Sequence, residues 1–595
     1  MVFFQEKLIK YSFIFLLYFC TFISFVGQSS ADVITSNKTV QIDLTNSVSG
    51  DDDPNLTVND GITVIKDNQQ NLIKGFASGN EISDSSMIIG SGAKLQGLHN
   101  TIMIREADNV TITNSGSIIA LGSKAINMRS AQDITITNNA GATITAVNNV
   151  IAGEEVDGDN ENVEGTVVTN SGTMYSDDAR VIYLYSGADT ATITNNSSGV
   201  MYNTNTNEVI HVGSDSTITN SGIIQNKNSP DNNSIVTQGN DNTIILKDKS
   251  ILVGTIDGGS TTGNTLKFQH GMGQGYFYKT AGDFTLQDLD GNQVVKGSAG
   301  SVGQGASETL DELLSYKSIN LRNFFNEYNK LDNQDAWGET YVSNLKRDAH
   351  TNNLALEYDL TNFGVNLINK IDNANFVIAF EGGRQDFVKD HKIDYQNISA
   401  GVYLPQKDNP YFNSDLFILG GITLKDGERT ILTNTTTSGK LTIDSDYETY
   451  EIHTGIKKNN SSSIPDFGLT ASYSMTPSYD ESKYFSWADR HIGNLSVFFE
   501  DDYNLINNKD SKLFLGWTLD MRKMISDNKQ VYSINGTSAT YKQHNDLTNE
   551  ISLIANMGYE KKFSDKSKIL FSLDAKNTNR YTKSLGANIS FKSKF

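Results

Sequence analysis

From Ala336 to Phe595 apolar and polar residues alternate with a period of two, and this feature most limits how the chain can fold. Residues two apart in an extended chain share a face, so each such segment carries an apolar face that must meet a core or a lipid. Between Lys512 and Arg522, Leu513, Leu515, Trp517, Leu519 and Met521 lie on one face. Lys512, Gly516, Thr518, Asp520 and Arg522 lie on the other, with Phe514 as the exception. Ile551, Leu553, Ala555, Met557 and Tyr559 repeat the pattern, as do Ile569, Phe571, Leu573 and Ala575. The last segment sets Leu585, Ala587, Ile589, Phe591 and Phe595 against Gly586, Asn588, Ser590 and Lys592.

Twelve strands can be placed, starting near Ala336, Asn352, Ala374, Tyr395, Asn413, Tyr447, Pro465, His491, Lys512, Thr548, Lys568 and Lys583. An even count returns the chain to the side it started from. Long gaps at 426–446, 477–490 and 523–547 follow the fifth, seventh and ninth strands, whereas gaps after even strands, such as 369–373 and 562–566, are short. A soluble β-sandwich has no reason to sort its loops by parity. A transmembrane barrel has long loops on one side and short turns on the other, which puts both barrel ends on the short-turn, periplasmic side.

Past the N-terminus no run approaches the roughly 20 apolar residues of a membrane helix. A return to the membrane must therefore use a barrel. At the N-terminus, Lys7 and Lys10 precede an apolar run from Tyr11 to Val26, and Ser29-Ser30-Ala31 offers small residues for cleavage before Asp32. That is the layout of a secretory signal peptide, with an uncleaved anchor as the alternative. Cys20, the only cysteine, lies inside it and follows Phe19, not the small residue a lipoprotein signal needs. The mature chain then has no disulfide and no thiolate metal site.

The N-terminal half repeats a phrase. It reads TITNSG at 111–116, TITNNAG at 135–141, VVTNSG at 167–172, TITNNSSG at 192–199 and TITNSG at 217–222, anchored on Asn114, Asn138, Asn170, Asn195 and Asn220. A period of this size signals a solenoid of stacked coils. Ile112, Ile136, Ile193 and Ile218 are expected inside, the threonines outside, the asparagines in an internal ladder at a corner, and the glycine at the next bend. A second apolar stretch in most units (Ile118-Ile119, Ile144, Val181-Ile182, Val209-Ile210, Ile235-Val236) supplies another face of each coil.

The net charge of −21 argues against nucleic acid as a partner. The acidic insertion at 154–165 carries Asp157, Asp159, Glu161 and Glu164, which suit calcium by ligand type but do not match an EF-hand; a solvated loop is expected there, at the aspartates 51–53 and at DLDG 288–291. No serine-hydrolase elbow is present. His99, His211 and His270 are the histidines of the N-terminal half, and His211 with Ser214 and Asp215 is too compact in sequence for an obvious triad. Arg105, Arg129 and Arg180 lie in successive coils without matching acids, so a lyase-like face is not expected. No catalytic, cofactor-binding or metal site is assigned, and the chain is not read as an enzyme.

Between Ser307 and Lys330 the period becomes helical: Leu310, Leu313, Leu314, Leu321, Phe324, Phe325 and Tyr328 share a stripe, Ser307 suits the N-cap, and Glu308, Asp311 and Glu312 suit the first turns. The resulting fold class is all-β: a right-handed parallel β-helix, a linker α-helix and a twelve-stranded antiparallel transmembrane β-barrel. The expected domains are a signal peptide at 1–31, a cap or early solenoid at 32–100, solenoid repeats at 101–241, a C-terminal cap or junction at 242–306, the helix at 307–330 and the barrel at 336–595.

This order, with the Ala336-Trp337-Gly338 barrel start and the terminal Phe595, resembles the monomeric (type V secretion) autotransporters of Gram-negative bacteria. The resemblance covers nearly the whole chain. It implies that the helix threads the pore, that the solenoid passenger crosses the outer membrane with the barrel, and that its folding outside supplies free energy. It also implies that periplasmic chaperones and the barrel-assembly machinery, the latter reading Phe595, are partners. Some members cut themselves at an asparagine in the pore helix; Asn320, Asn323, Asn326 and Asn329 are present here without a matching motif. An adhesin-like passenger meeting a cell, host or polymer surface is the leading expectation. A surface hydrolase or lyase, or a porin with an N-terminal domain, are the alternatives.

Overall fold

The computed structural model describes residues 31–593 apart from 40, 44–54, 76–81, 155–162, 186, 249, 296–298, 304–309, 331–335, 349–356, 372–373, 410–411, 461–463, 527–528, 535–536, 538–539, 545–548 and 565. The signal peptide, Ser307, Glu308, Phe595 and the centre of the acidic insertion (Asp157, Asp159, Glu161) thus lie outside the described residues. The chain forms two compact units, residues 1–266 with 281–284, and residues 267–280 with 285–595.

The first unit is a parallel β-solenoid of three sheets. One sheet carries the repeated phrase on strands Thr111–Asn114, Thr135–Asn138, Val167–Asn170, Thr192–Asn195 and Thr217–Asn220. It is preceded in the same sheet by Asn55–Val58 and Ser86–Ile89. Coils stack in register, so Ile112, Ile136, Val168, Ile193 and Ile218 form one inward, fully buried column. The asparagine ladder is present: Asn114 Nδ2 donates to Asn138 Oδ1 at 2.8 Å, Asn138 to Asn170 at 2.8 Å, Asn170 to Asn195 at 2.9 Å and Asn195 to Asn220 at 2.9 Å. It runs from Ile89 at one end to Leu246 at the other, the residues that take the same register position.

Two local details differ from expectation. Four of the five phrase glycines are needed for space and not for a left-handed bend, while Gly141 takes a left-handed φ of +82° with open space around it. A Cβ on Gly116 would fall 2.2 Å from the Ala93 carbonyl oxygen, and one on Gly172 2.2 Å from that of Ala142. The left-handed corner sits two residues before each phrase strand, at Asp84, Asn109, Asp133, Gly165, Thr190, Asp215 and Asp241, all with φ between +47° and +66°. Aspartate, asparagine and glycine visit that region at low cost.

The second unit contains a closed barrel of twelve antiparallel strands. They are β1 (Ala336–Arg347), β2 (Tyr358–Ile371), β3 (Ala374–Phe387), β4 (His391–Leu404), β5 (Asp415–Thr433), β6 (Lys440–Lys458), β7 (Asp466–Thr476), β8 (Arg490–Asn507), β9 (Ser511–Met524), β10 (Asn549–Ser564), β11 (Ser567–Thr578) and β12 (Thr582–Ser593). Strand β12 closes on β1, with Ala336 opposite Ser593, so both barrel ends lie on one side.

The region 426–446 is not a loop. β5 and β6 pair from Asp415/Lys457 to Leu432/Lys440. Their charged outward residues imitate loop composition, while Ile431 and Ile443 keep the inward alternation, both buried. The parity rule also bends once, because the connection after β4 is long and holds the 3₁₀ turn Gln406–Asp408. A small sheet of loop strands, Tyr479–Asp480, Phe485–Trp487, Lys529–Ile534 and Thr540–His544, forms on the β5–β6 hairpin side.

The barrel is inverted relative to a soluble protein. Phe363, Ile378, Ile418, Ile452, Trp517, Leu553, Leu573 and Ile589 are exposed on its outside, whereas Asn362, Thr423, Glu451, Asp520 and Glu550 are buried inside. Apolar-out and polar-in is the surface of a membrane-spanning barrel. Among the described residues no helix is long and apolar enough to cross a membrane.

Candidate functional site: the barrel lumen

One helix, α1 (Leu310–Lys330), fills the lumen. Its residues bury almost all round, as a helix enclosed on every side must. Leu321, Phe324, Phe325 and Tyr328 form one cluster with Trp337, Ile368, Val377, Tyr403, Phe417, Phe514 and Leu570 of the wall. Phe324 stacks on Trp337 with centroids 4.5 Å apart, and Phe325 on Tyr403 at 4.4 Å. The exception in the β9 pattern is thereby explained: Phe514 points inward because it packs in this aromatic cluster. Leu313 and Tyr316 join Leu345, Tyr358, Leu360 and Tyr395 further along the bore.

Polar contacts run along the same helix. Lys317 Nζ donates to Glu451 at 2.9 and 3.0 Å and to Thr423 Oγ1 at 2.7 Å. Ser318 bonds His453 at 2.8 Å. Arg322 Nη1 donates to Asp520 at 2.5 Å, its Nε lies 3.8 Å from Glu500, and its guanidinium lies 4.2 Å from the Phe498 ring centre. Glu312 accepts from Arg347 at 2.8 Å and from the Tyr358 hydroxyl at 2.6 Å. Glu327 accepts from Ser572 at 2.6 Å. The wall partners come from β1, β2, β5, β6, β8, β9 and β11, so the helix is held around its circumference. A void beside Lys317 measures about 20 Å³, room for about one water.

Two of the helix asparagines are engaged by the wall. Asn326 donates to Glu500 at 3.0 Å and accepts from Lys457 at 2.8 Å, and Asn329 donates to Asp415 at 2.6 Å. Asn320 and Asn323 are half-buried. Which strand residue meets which helix residue was not readable in advance, since it depends on the rotation of the helix in the bore.

The residues singled out from sequence before the helix are not brought into one site. His211 bonds Glu208 at 2.5 Å and Gln238 at 2.8 Å, while Ser214 N donates to Asp189 at 2.7 Å and Asp215 is a left-handed corner. His99 bonds Asn71 and His270 bonds Tyr278. Arg105 and Arg129 share a register position, but the next residue in that column is Glu154, and Arg180 stands outside it, paired with Glu208 at 2.5 Å. Burial alone would raise the Glu208 carboxyl, yet hydrogen bonds from His211 and Arg180 hold it down at about 2. At DLDG, Asp288 accepts from the Tyr276 hydroxyl at 2.8 Å, Asp290 accepts from Gly271 N at 2.6 Å and Asn292 from Gly273 N at 2.9 Å. Those oxygens staple a loop, and burial raises the Asp288 carboxyl. Among the described residues no group of three metal-ligating side chains occurs.

No family model and no curated protein sequence matches the chain. Solved structures do align. The translocator domain of autotransporter NalP from Neisseria meningitidis aligns over 49% of this chain and 100% of its own, at 11% identity and a TM-score of 0.36. The transport unit of autotransporter AIDA-I from Escherichia coli covers 44% of this chain and 92% of its own (10%, 0.29), and the β-domain of the Bordetella autotransporter BrkA 44% and 100% (11%, 0.29). Monoaromatic hydrocarbon channels align over a similar share. At these scores the likeness adds nothing to the barrel described above, and the reading of the lumen rests on its own geometry.

Proposed function

We propose that this chain is an outer-membrane autotransporter. The barrel anchors it and the solenoid is the passenger carried to the cell surface. The supporting observation is the filled lumen. A helix immediately upstream of β1 occupies the bore with buried ion pairs and stacked aromatics. That is the arrangement expected of a linker left in the pore once the segment before it has passed through. A solute channel needs an open path, and packing of this kind does not favour the porin reading. The passenger serves adhesion, because a stack of flat faces offers extended contact to another surface. That step is by fold-level analogy. It is not read as an enzyme, and release of the passenger from the barrel is not part of the proposal.

Protease shaving of intact cells tests it. Loss of the solenoid, with the barrel retained in the outer membrane, is the expected result. A solenoid protected until the outer membrane is broken would overturn the proposal. Binding of cells that display the chain to host-cell or polymer surfaces, compared with cells displaying the barrel alone, tests the adhesive role.

A further inference from the structure

One cluster in the lumen closes on itself. Lys457 Nζ on β6 donates to Asn326 Oδ1 of α1 at 2.8 Å and to Glu500 Oε1 on β8 at 2.7 Å. Asn326 Nδ2 in turn donates to Glu500 Oε2 at 3.0 Å. Amine, carboxamide and carboxylate therefore touch pairwise, and the carboxylate reaches both nitrogens at once. The Lys457 side chain is 12% exposed and that of Glu500 9%.

The wall leaves room for this contact. β7 separates β6 from β8, and its residue opposite Lys457 is Gly468. With no side chain there, Lys457 reaches across β7 to Glu500. Phe498, opposite Gly468 on β8, lays its ring over the glycine, since a Cβ at that position would fall 2.5 Å from the ring. Two further charges border the cluster: Asp466 Oδ2 lies 3.3 Å from Lys457 Nζ, and Arg322 Nε lies 3.8 Å from Glu500 Oε2.

An ion pair needs only Lys457 and Glu500. Asn326 adds an electrophile, because its Cγ is bonded to the oxygen that Lys457 already touches. A lysine becomes a nucleophile once it gives up a proton, and a carboxylate in contact can take that proton and pass it on. Holding amine and carboxamide together removes the encounter that limits the same reaction between separate molecules.

We propose that Lys457 and Asn326 join through an isopeptide bond, with Glu500 carrying the protons. The Nζ–Cγ bond forms and the Cγ–Nδ2 bond breaks. Of the protons on the Lys457 ammonium, one stays on the new amide nitrogen. The other two pass through Glu500 to Nδ2, which leaves as ammonium, and Glu500 ends as the carboxylate it began as. No oxidant, reductant or cofactor is consumed. The link ties the end of α1 to β6 across 131 residues of chain, so that a pull on the segment before the helix is borne by a covalent bond to the wall. The turns from Leu310 to Arg322 stay held by non-covalent contacts alone.

The test takes the full chain from outer membranes, digests it and sequences the peptides by tandem mass spectrometry. Wild type should yield a branched peptide joining Asn326 to Lys457, lighter by one ammonia than its two arms together. On a fully denaturing gel the looped chain should run ahead of Lys457→Arg and Asn326→Ala, which cannot form the link. Glu500→Gln keeps both reacting groups and removes the proton carrier, so the branched peptide should be lost. Heat-modifiable migration shows whether each variant still forms a barrel, and the wild-type mass decides the matter even where a variant does not. A wild-type chain with unlinked Asn326 and Lys457 would overturn the proposal, and the three groups would then be an ion pair with a hydrogen-bonded amide. So would a chain cut after Asn326 with no branch, or a branch whose yield is unchanged in Glu500→Gln. These outcomes do not depend on whether a passenger is exported.

Discussion

Replacing Arg322 by methionine should loosen the helix in the lumen. The guanidinium is 3% exposed, Asp520 beside it 2% and Glu500 9%, so none of the three is screened by bulk water. Methionine keeps much of the stem packing against Phe498 and removes only the charge. It strands Asp520 in the lumen without a cation. Breaking one partner from a buried pair costs about 3–5 kcal/mol. That corresponds to roughly a hundredfold to several thousandfold in the equilibrium between seated and displaced helix. Single-channel recording of the full chain in planar bilayers reads that equilibrium directly. Wild type should be closed, and Arg322→Met should open by a factor in that range. Asp520→Asn alone should also open, though less, because Arg322 loses its nearest carboxylate and keeps only Glu500 at 3.8 Å. The double variant should open far less than the product of the two singles, because no charge is left unpaired. Singles that stay as closed as wild type, or a double variant as open as the product, would refute the idea that this pair holds the helix.

Three further outcomes follow from the same reasoning. Asn170→Ala interrupts the ladder between Asn138 and Asn195, both fully buried, and should cost about 1–3 kcal/mol, read as faster proteolysis of the solenoid at low denaturant. Glu208 is held at about 2 against an ordinary 4.5, so it stabilises the solenoid above pH 4.5, and that contribution fades as pH falls toward 2; pepsin cleavage should accelerate over this window, and less so in Glu208→Gln. Leu573→Arg puts a charge on the outward apolar face, where Leu573 is 49% exposed, and should cost about 2–4 kcal/mol, measured as the urea midpoint of barrel unfolding in lipid vesicles.

The barrel was legible because a strand buried on one side by lipid and on the other by polar contents must alternate. Most starts fall within a few residues of the expected ones, as at Ala336, Ala374, Pro465 and Lys568. The start expected at Asn352 lies outside the described residues. The reading failed where composition and periodicity disagreed. Between Asp426 and Asp446 the charges suggest a loop, yet Ile431 and Ile443 still pack inward, against Phe485, Trp487 and Tyr532 of the loop sheet. Packing against residues remote in sequence leaves no local signal. The same holds for the lumen. The sequence shows a helix and a polar inner wall, but the pairing of Lys317 with Glu451 or Arg322 with Asp520 spans more than a hundred residues and appears only once the barrel has closed.

The left-handed corner gives a case where the structure now corrects the repeat. Seven residues hold that position in successive coils, and six are Asp, Asn or Gly. Thr190 is the seventh, at φ +60°. A β-branched residue there carries strain of about 1–3 kcal/mol. Its hydroxyl offers some return, since Thr190 Oγ1 accepts from Gly165 N at 3.0 Å. Asparagine tolerates the same backbone and presents an acceptor oxygen on its side chain, as Asp189 Oδ1 does one residue earlier toward Ser214 N. Thr190→Asn should therefore stabilise the solenoid by about 1 kcal/mol, seen as slower proteolysis at equal denaturant. Thr190→Val keeps the branch and loses the acceptor, so it should destabilise. If asparagine weakens the coil as much as valine does, the hydroxyl bond outweighs the backbone strain, and Thr190 is the better residue at that corner.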